Sequence, residues 1–235
     1  MDFNGIYHRK CVLVTGHTGF KGSWLCEWLL QTGAKVIGYA LDPPTEPSHF
    51  ALTRLSGRLH NDIRADINDT RTLNEVFSRY RPDFVFHLAA QPIVRNAYSA
   101  PFETVQTNTM GTVSVLEAIR NEGKDCVGIM VTTDKVYEQR EWTYAYRESD
   151  PLGGHDPYSA SKACADMLVC SWQRSFFSPL LQKKGGPRIG VAPVRAGNVI
   201  GGGDWAADRI VPDCIRSLSA NARIPVRNRQ ATRPW

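Results

Sequence analysis

The chain has 235 residues, 42% of them apolar, with 28 basic against 23 acidic side chains and a formal charge of +5. That length can bury one sizeable core. The basic excess is scattered, with no basic arm or aromatic-basic ladder, which excludes nucleic acid as the partner and suits a small anionic ligand; no apolar run reaches the length of a membrane span, so no membrane partner is expected.

Cys11-Val12-Leu13-Val14 is a short apolar run and predicts a first strand over 11–15. It leads into Gly16-His17-Thr18-Gly19-Phe20-Lys21-Gly22 and then into Trp24–Leu30, where apolar residues recur at helical spacing and predict a helix over 20–32. Strand, glycine turn and helix in this order form a dinucleotide fingerprint. Gly16 permits the tight turn, Gly19 lets the backbone approach a pyrophosphate, Gly22 lets helix pack closely on strand, and the phosphates sit at a helix N-terminus. Phe20 opens that helix. The imidazole of His17 either touches the pyrophosphate or fills the loop.

A second strand over 35–40 runs toward Asp42, an acid 20 residues after Gly22. A carboxylate near this distance takes a ribose 2′-hydroxyl and repels a 2′-phosphate, which favours NAD over NADP. Further strands are predicted over 58–63, 83–88, 126–132 and 188–194, and further helices over 69–80, 101–122, 158–176 and 208–220. Residues 42–47 and 182–187 read as turn-rich or exposed connections rather than domain linkers. The alternation predicts one α/β domain: a parallel sheet covered on both faces, with its ligand at the carboxyl ends of the strands.

Thr133-Asp134-Lys135 follows the fifth strand, at the end where ligands bind, although a solvated strand-end pair would look the same. Tyr158-Ser159-Ala160-Ser161-Lys162 follows at the start of a helix. A Tyr and a Lys four apart share one helix face, so the ammonium lowers the phenol pKa while holding a cofactor ribose. The six cysteines, at 11, 26, 126, 164, 170 and 214, form no Cys-x-x-Cys pair and have no histidine at metal-ligand spacing. They read as free thiols in a reducing compartment. Met1-Asp2-Phe3-Asn4-Gly5 lacks the features of a signal peptide, so the cytoplasm is the expected location.

Four segments carry a resemblance that covers essentially the whole chain: Val14 to Leu25, His87-Leu88-Ala89-Ala90-Gln91-Pro92, Tyr158 to Lys162, and Arg195-Ala196-Gly197-Asn198-Val199-Ile200-Gly201-Gly202-Gly203-Asp204-Trp205. On them the chain resembles the extended short-chain dehydrogenases/reductases, and within these the sugar-nucleotide dehydratases. The resemblance implies a Rossmann-type doubly wound parallel sheet, with 1–235 forming the NAD-binding domain and the beginning of the substrate-binding part. Similar proteins continue beyond Thr232-Arg233-Pro234-Trp235, so most of the smaller C-terminal substrate domain is expected to be missing.

The implied substrate is a nucleoside-diphosphate sugar, CDP-glucose. The implied reaction is oxidation at C4, loss of water across C5 and C6, and reduction at C6, in deoxysugar and lipopolysaccharide biosynthesis. By the same resemblance Tyr158 accepts the C4 hydroxyl proton, Thr133 binds the C4 oxygen, Asp134 is the acid for the C6 hydroxyl and Lys135 the base for the C5 proton. Many similar dehydratases carry a glutamate where Lys135 stands. Asp66 and Ile67 match an adenine contact, although Asp66 equally suits a helix N-cap ahead of 68–80. Leu88, Ala89 and Ala90 line the nicotinamide-side ribose, Gln91, Arg195, Asn198 and Arg209 face the substrate, and Asn108 is fold-bearing. A homodimer or homotetramer is the implied assembly. Two other readings stand beside this one: a nucleotide-sugar epimerase, which needs Tyr158 and Lys162 but no acid and base pair, and a non-catalytic NAD-binding remnant.

Overall fold

Val12, Leu13 and Val14 are buried on both faces of their strand, β1 (Cys11–Thr15), which is why it runs apolar without alternation. Our computed structural model describes residues 3–178, 185–226 and 228–230. Met1-Asp2, Gln182-Lys183-Lys184 and Thr232-Arg233-Pro234-Trp235, singled out above, lie outside them. Five more strands run parallel to β1: β2 (Lys35–Ala40), β3 (Asn61–Arg64), β4 (Phe84–His87), β5 (Cys126–Val131) and β6 (Ile189–Val194). The sheet order is β3-β2-β1-β4-β5-β6.

The helices are α1 (Phe20–Gln31), α2 (His49–Leu52), α3 (Thr70–Tyr80), α4 (Val94–Ser99), α5 (Pro101–Val105), α6 (Gly111–Glu122), α7 (Pro157–Ser175) and α8 (Ile210–Ser219). Leu13, Ile37, Val85 and Met130 pack with α3, α6 and α7 residues on one side of the sheet. Val12, Val14 and Val36 pack with Cys26 and Leu29 of α1 and Phe50 of α2 on the other. This is the doubly wound arrangement expected.

Thr15, at the end of β1, pairs with Tyr39 of β2 on one side and His87 of β4 on the other. The strand order reverses between β1 and β4, so the loops leaving these strands diverge and open a crevice above the close contact of Gly16 with Ala89. The sequence thus positions its fingerprint at the one place in the sheet where a long ligand can lie across the strand ends.

The structure changes two predicted elements and adds two short helices. The third strand is shifted from 58–63 to Asn61–Arg64, because a 3-10 turn at Leu55–Gly57 buries Leu55 completely and His60 N then starts the ladder on Val36 O at 2.9 Å. The helix predicted over 101–122 is interrupted by a single π turn, Gln106–Met110, between α5 and α6. That turn sets Asn108 facing inward, and Gly111 follows it with room only for a hydrogen: a Cβ there would lie 2.8 Å from Ile67 Cγ2. Helices α2 and α4, four and six residues long, are too short to leave a periodic signature.

Candidate active site

Gly16 and Gly22 are glycines because of the fold itself. Gly16 has φ +73°, and a Cβ there would lie 2.6 Å from Ala89 N; at Gly22 it would lie 2.1 Å from Gly16 O. Gly19 is different, since its φ is ordinary at −72° and a Cβ would approach only Gly16 O, at 3.3 Å. The fold thus restricts Gly19 less than it does Gly16 and Gly22. Gly19 also caps α1 without any side-chain acceptor, leaving the first-turn N–H groups directed at the crevice.

Above these strand ends lies a cavity of about 620 Å³. It brings together Gly16, Gly19, Phe20 and Gly22 with Asp42, Asp66 and Ile67 at one end, and with Leu88, Ala89, Ala90, Gln91, Tyr158 and Lys162 toward the other. A second cavity of about 580 Å³ adjoins it, lined by Thr133, Asp134, Lys135 and Asn198. Lys21, Tyr158 and Arg209 line both, so the two form one bent cleft with the tyrosine at the corner.

The Thr133-Asp134-Lys135 run is fixed at the corner by backbone and side-chain bonds. Thr132 N donates to Val194 O at 2.8 Å and Asp134 N to Ala196 O at 3.0 Å, extending the β5–β6 pairing past its end. Thr133 Oγ donates to Asp134 Oδ1 at 3.1 Å, and Lys135 N to Thr133 Oγ at 3.4 Å. Tyr158 enters on the first turn of α7, whose start is set by Pro157 and by a reciprocal capping box between Asp156 and Ser159. Asn108 binds the Gln91 backbone through Oδ1 at 2.8 Å and Nδ2 at 3.1 Å, and donates to Ser161 Oγ at 3.0 Å. It ties the cleft wall to the tyrosine helix, as a fold-bearing asparagine would.

The electrostatics differ from expectation at Tyr158. Burial pushes the phenol pKa up, and the opposing influences are the neighbouring Thr133 hydroxyl and the charge of Arg209. Lys162 instead donates Nζ–H to Val131 O at 3.2 Å, anchored at the end of β5. Its pKa is pulled down to about 8 by burial first and by the charge of Lys21 second. The expected lowering of the phenol by Lys162 is therefore replaced by Thr133 and Arg209, because burial directs the lysine to a carbonyl.

Two expected ligand contacts are turned elsewhere. His17 is wholly buried; its Nε2 lies 2.8 Å from Asp62 Oδ1, and its ring covers Gly38, where a Cβ would sit 2.3 Å from Cδ2. It fills the loop rather than lining the cleft. Burial lowers its pKa more than Asp62 raises it, so the contact is a hydrogen bond to a neutral imidazole rather than an ion pair. Arg195 points behind the site: Nε and Nη2 donate to Asp166 at 3.0 and 2.8 Å, and Nη1 to Tyr137 Oη and the Glu148 carbonyl.

The remaining side chains are partly engaged. Gln91 Nε2 donates to Ile93 O and Thr104 Oγ, both at 3.1 Å, and its Oε1 accepts from Ile93 N, so this amide shapes the wall. Asp66 accepts from Asn68 N at 2.9 Å in a local turn, and the N-cap of α3 is Asp69. Asp42 is 90% exposed and meets Arg64 Nη1 at 3.4 Å. Arg209 pairs with the buried Asp204 at 3.3 Å. Two charged residues escaped the sequence reading. Lys21 had a signal, a cation in the first turn of a helix against its dipole. Asp166, with no exposed surface, had only its place one turn beyond Lys162.

A glycine-built crevice at the strand ends, joined to a Tyr-Lys corner, has the form of a nucleotide-binding cleft. Comparison with known proteins sharpens this: residues 13–183 match the model of the GDP-mannose 4,6 dehydratase family, and the chain belongs to that family. It is 50% identical over 97% of its length to CDP-glucose 4,6-dehydratase of Salmonella typhimurium, and 35% identical over 72% to a probable dTDP-glucose 4,6-dehydratase of Sinorhizobium fredii. It spans 63% and 51% of those relatives' own lengths. The solved UDP-glucuronic acid 4-epimerase of Bacillus cereus, in complex with UDP-glucuronic acid and NAD, superposes with a TM-score of 0.75 at 26% identity, over 91% of this chain and 64% of that one.

Proposed function

We propose that the protein is the NAD-binding and proton-transfer part of a nucleoside-diphosphate-sugar 4,6-dehydratase acting on CDP-glucose. The single observation that carries this reading is the corner of the cleft, where Tyr158 stands between the fingerprint cavity and Thr133-Asp134-Lys135. The 50% identity to a CDP-glucose 4,6-dehydratase supports the choice of nucleotide.

The residues present suit NAD: Gly16 and Gly22, which let the loop pack closely on Ala89 and on itself, the bare backbone of Gly19 on the cleft wall, open helix N–H groups for the pyrophosphate, and a carboxylate, Asp42, at the far end. Bound there, NAD supplies the hydride acceptor for C4, the donor for C6, and a positive charge beside Tyr158. Tyr158 takes the proton of the C4 hydroxyl, and Thr133, which lines the same cavity, is the residue to bind the C4 oxygen. The ketone at C4 acidifies the neighbouring C5 hydrogen, which Lys135 removes. Asp134 gives its proton to the departing C6 hydroxyl, so that water leaves, and once C6 is reduced Lys135 returns its proton to C5.

An epimerase would use Tyr158 and Lys162 alone; the acid and base at the end of β5 favour elimination. Six free thiols support a cytoplasmic setting, and among the described residues no helix is long and apolar enough to cross a membrane. Exposed Phe102, Met110 and Met167 on the α5 to α7 side support a homodimer or homotetramer. The product class, a 4-keto-6-deoxy sugar, fits deoxysugar and lipopolysaccharide biosynthesis. The deciding experiment is incubation of the protein with CDP-glucose and NAD, alone and joined to the C-terminal part of a full-length relative. A 4-keto-6-deoxy product supports the reading, and C4 epimer alone overturns it.

A further inference from the structure

Lys21 is the charged residue of the fingerprint, and the chemistry above leaves it without a task. It occupies the second position of α1, where a cation opposes the helix dipole. It lines both arms of the cleft. The charges facing it come from three other elements: Arg209 ahead of α8, Lys162 on α7 and Asp134 after β5, with Tyr158 at the same corner. Burial and the charge of Arg209 lower its pKa, and Asp134 acts the other way. Two cations, partial burial and a helix N-terminus all disfavour an ammonium here, and one carboxylate offsets only part of that. Each of these features would become favourable toward an added anion.

We propose that Lys21 is a diphosphate-binding residue, its ammonium acting with Arg209 on the ligand diphosphate at the junction of the two arms. This rests on the dehydratase reading, in which dinucleotide and nucleotide sugar both carry that group. A bound diphosphate stabilises the charged form of Lys21 and raises its pKa, so binding draws a proton from solution wherever the free protein holds Lys21 partly neutral.

The test is titration calorimetry of the protein and of Lys21→Met with NAD, CDP and inorganic pyrophosphate, repeated in buffers of different ionisation enthalpy to count protons. The wild-type protein should take up protons on binding, and Lys21→Met should bind one of the nucleotides about 10- to 100-fold more weakly with that uptake lost. Weakening confined to NAD assigns the residue to the dinucleotide, and weakening confined to CDP assigns it to the nucleotide sugar. Lys21→Arg should restore affinity without restoring proton uptake, which a purely structural role would not produce. Thermal melting of Lys21→Met at or above the wild-type temperature excludes misfolding. Unchanged affinity for all three probes overturns the proposal. Wild-type binding of pyrophosphate through Lys21, with neither NAD nor CDP bound, would uphold it while removing the dehydratase reading.

Discussion

Arg195 grips both carboxylate oxygens of Asp166, through Nη2 at 2.8 Å and Nε at 3.0 Å, and Asp166 has no exposed surface. Thr132 Oγ donates to the same carboxylate at 3.0 Å. The pair therefore holds the ends of β5 and β6 against α7, directly behind Thr133 and Asp134. Removing one partner leaves the other charge buried, so Arg195→Met should destabilise the protein by about 3–5 kcal/mol. Chemical denaturation checks this. NAD affinity of the fraction that remains folded should stay near wild type, whereas a ligand-binding role would lower affinity without lowering stability.

The fingerprint glycines should separate in the same kind of assay. Gly22→Ala sets a Cβ 2.1 Å from a backbone oxygen and should cost roughly 1–3 kcal/mol of stability. Gly19→Ala meets that oxygen only at 3.3 Å and should fold almost normally while binding NAD more weakly. Melting curves and calorimetry on the two variants distinguish fold from ligand. Equal NAD affinity in Gly19→Ala and wild type would remove the fingerprint from the site.

Tyr158→Phe should keep NAD affinity and, in a form joined to the remaining substrate-binding part, slow C4 oxidation by about 10²- to 10⁴-fold. In the proposed reaction the phenol oxygen accepts the proton, and phenylalanine has none. Wild-type turnover in this variant would pass the role to another group.

Asp134→Asn should uncouple the two halves of the reaction. The amide keeps the shape and loses the proton, so the 4-keto hexose should accumulate while dehydration slows by about 10²- to 10⁴-fold. Rapid-quench analysis in solvent deuterium follows both species. Equal loss of the two steps would make Asp134 structural.

Lys162 makes stability depend on pH. Its pKa falls from the ordinary 10.5 to about 8 in the folded protein. Below about 8 both states are protonated and the folded state carries the full cost of a buried ammonium. Between about 8 and 10.5 the unfolded chain binds the extra proton, so stability rises with pH, by about 3 kcal/mol over the window. Lys162→Met should lack this rise. Melting temperatures of both proteins across the window test it, and parallel curves would mean that Lys162 is not the group that titrates.

Most strand positions, the crevice and many of the residues that line it were legible in the sequence because each is written in local pattern, whereas the third strand, at Asn61–Arg64, was not. Val12-Leu13-Val14 ahead of Gly16 is a buried strand entering a tight turn in any context, and Tyr158 and Lys162 share a face wherever a helix forms. Where a polar side chain ends up was not legible, because that depends on partners far away in sequence. Arg195 points to Asp166 and His17 to Asp62 because burial demands a partner for each, and the doubly wound sheet brings those partners within reach. The π turn at Gln106–Met110 adds a residue that periodicity does not register, and with it the inward placement of Asn108. The sequence by itself determined the fold class and the residues available to the cleft. Only the tertiary structure decided which of them face the ligand and which charges they meet, since desolvation and Coulomb interaction act through space rather than along the chain.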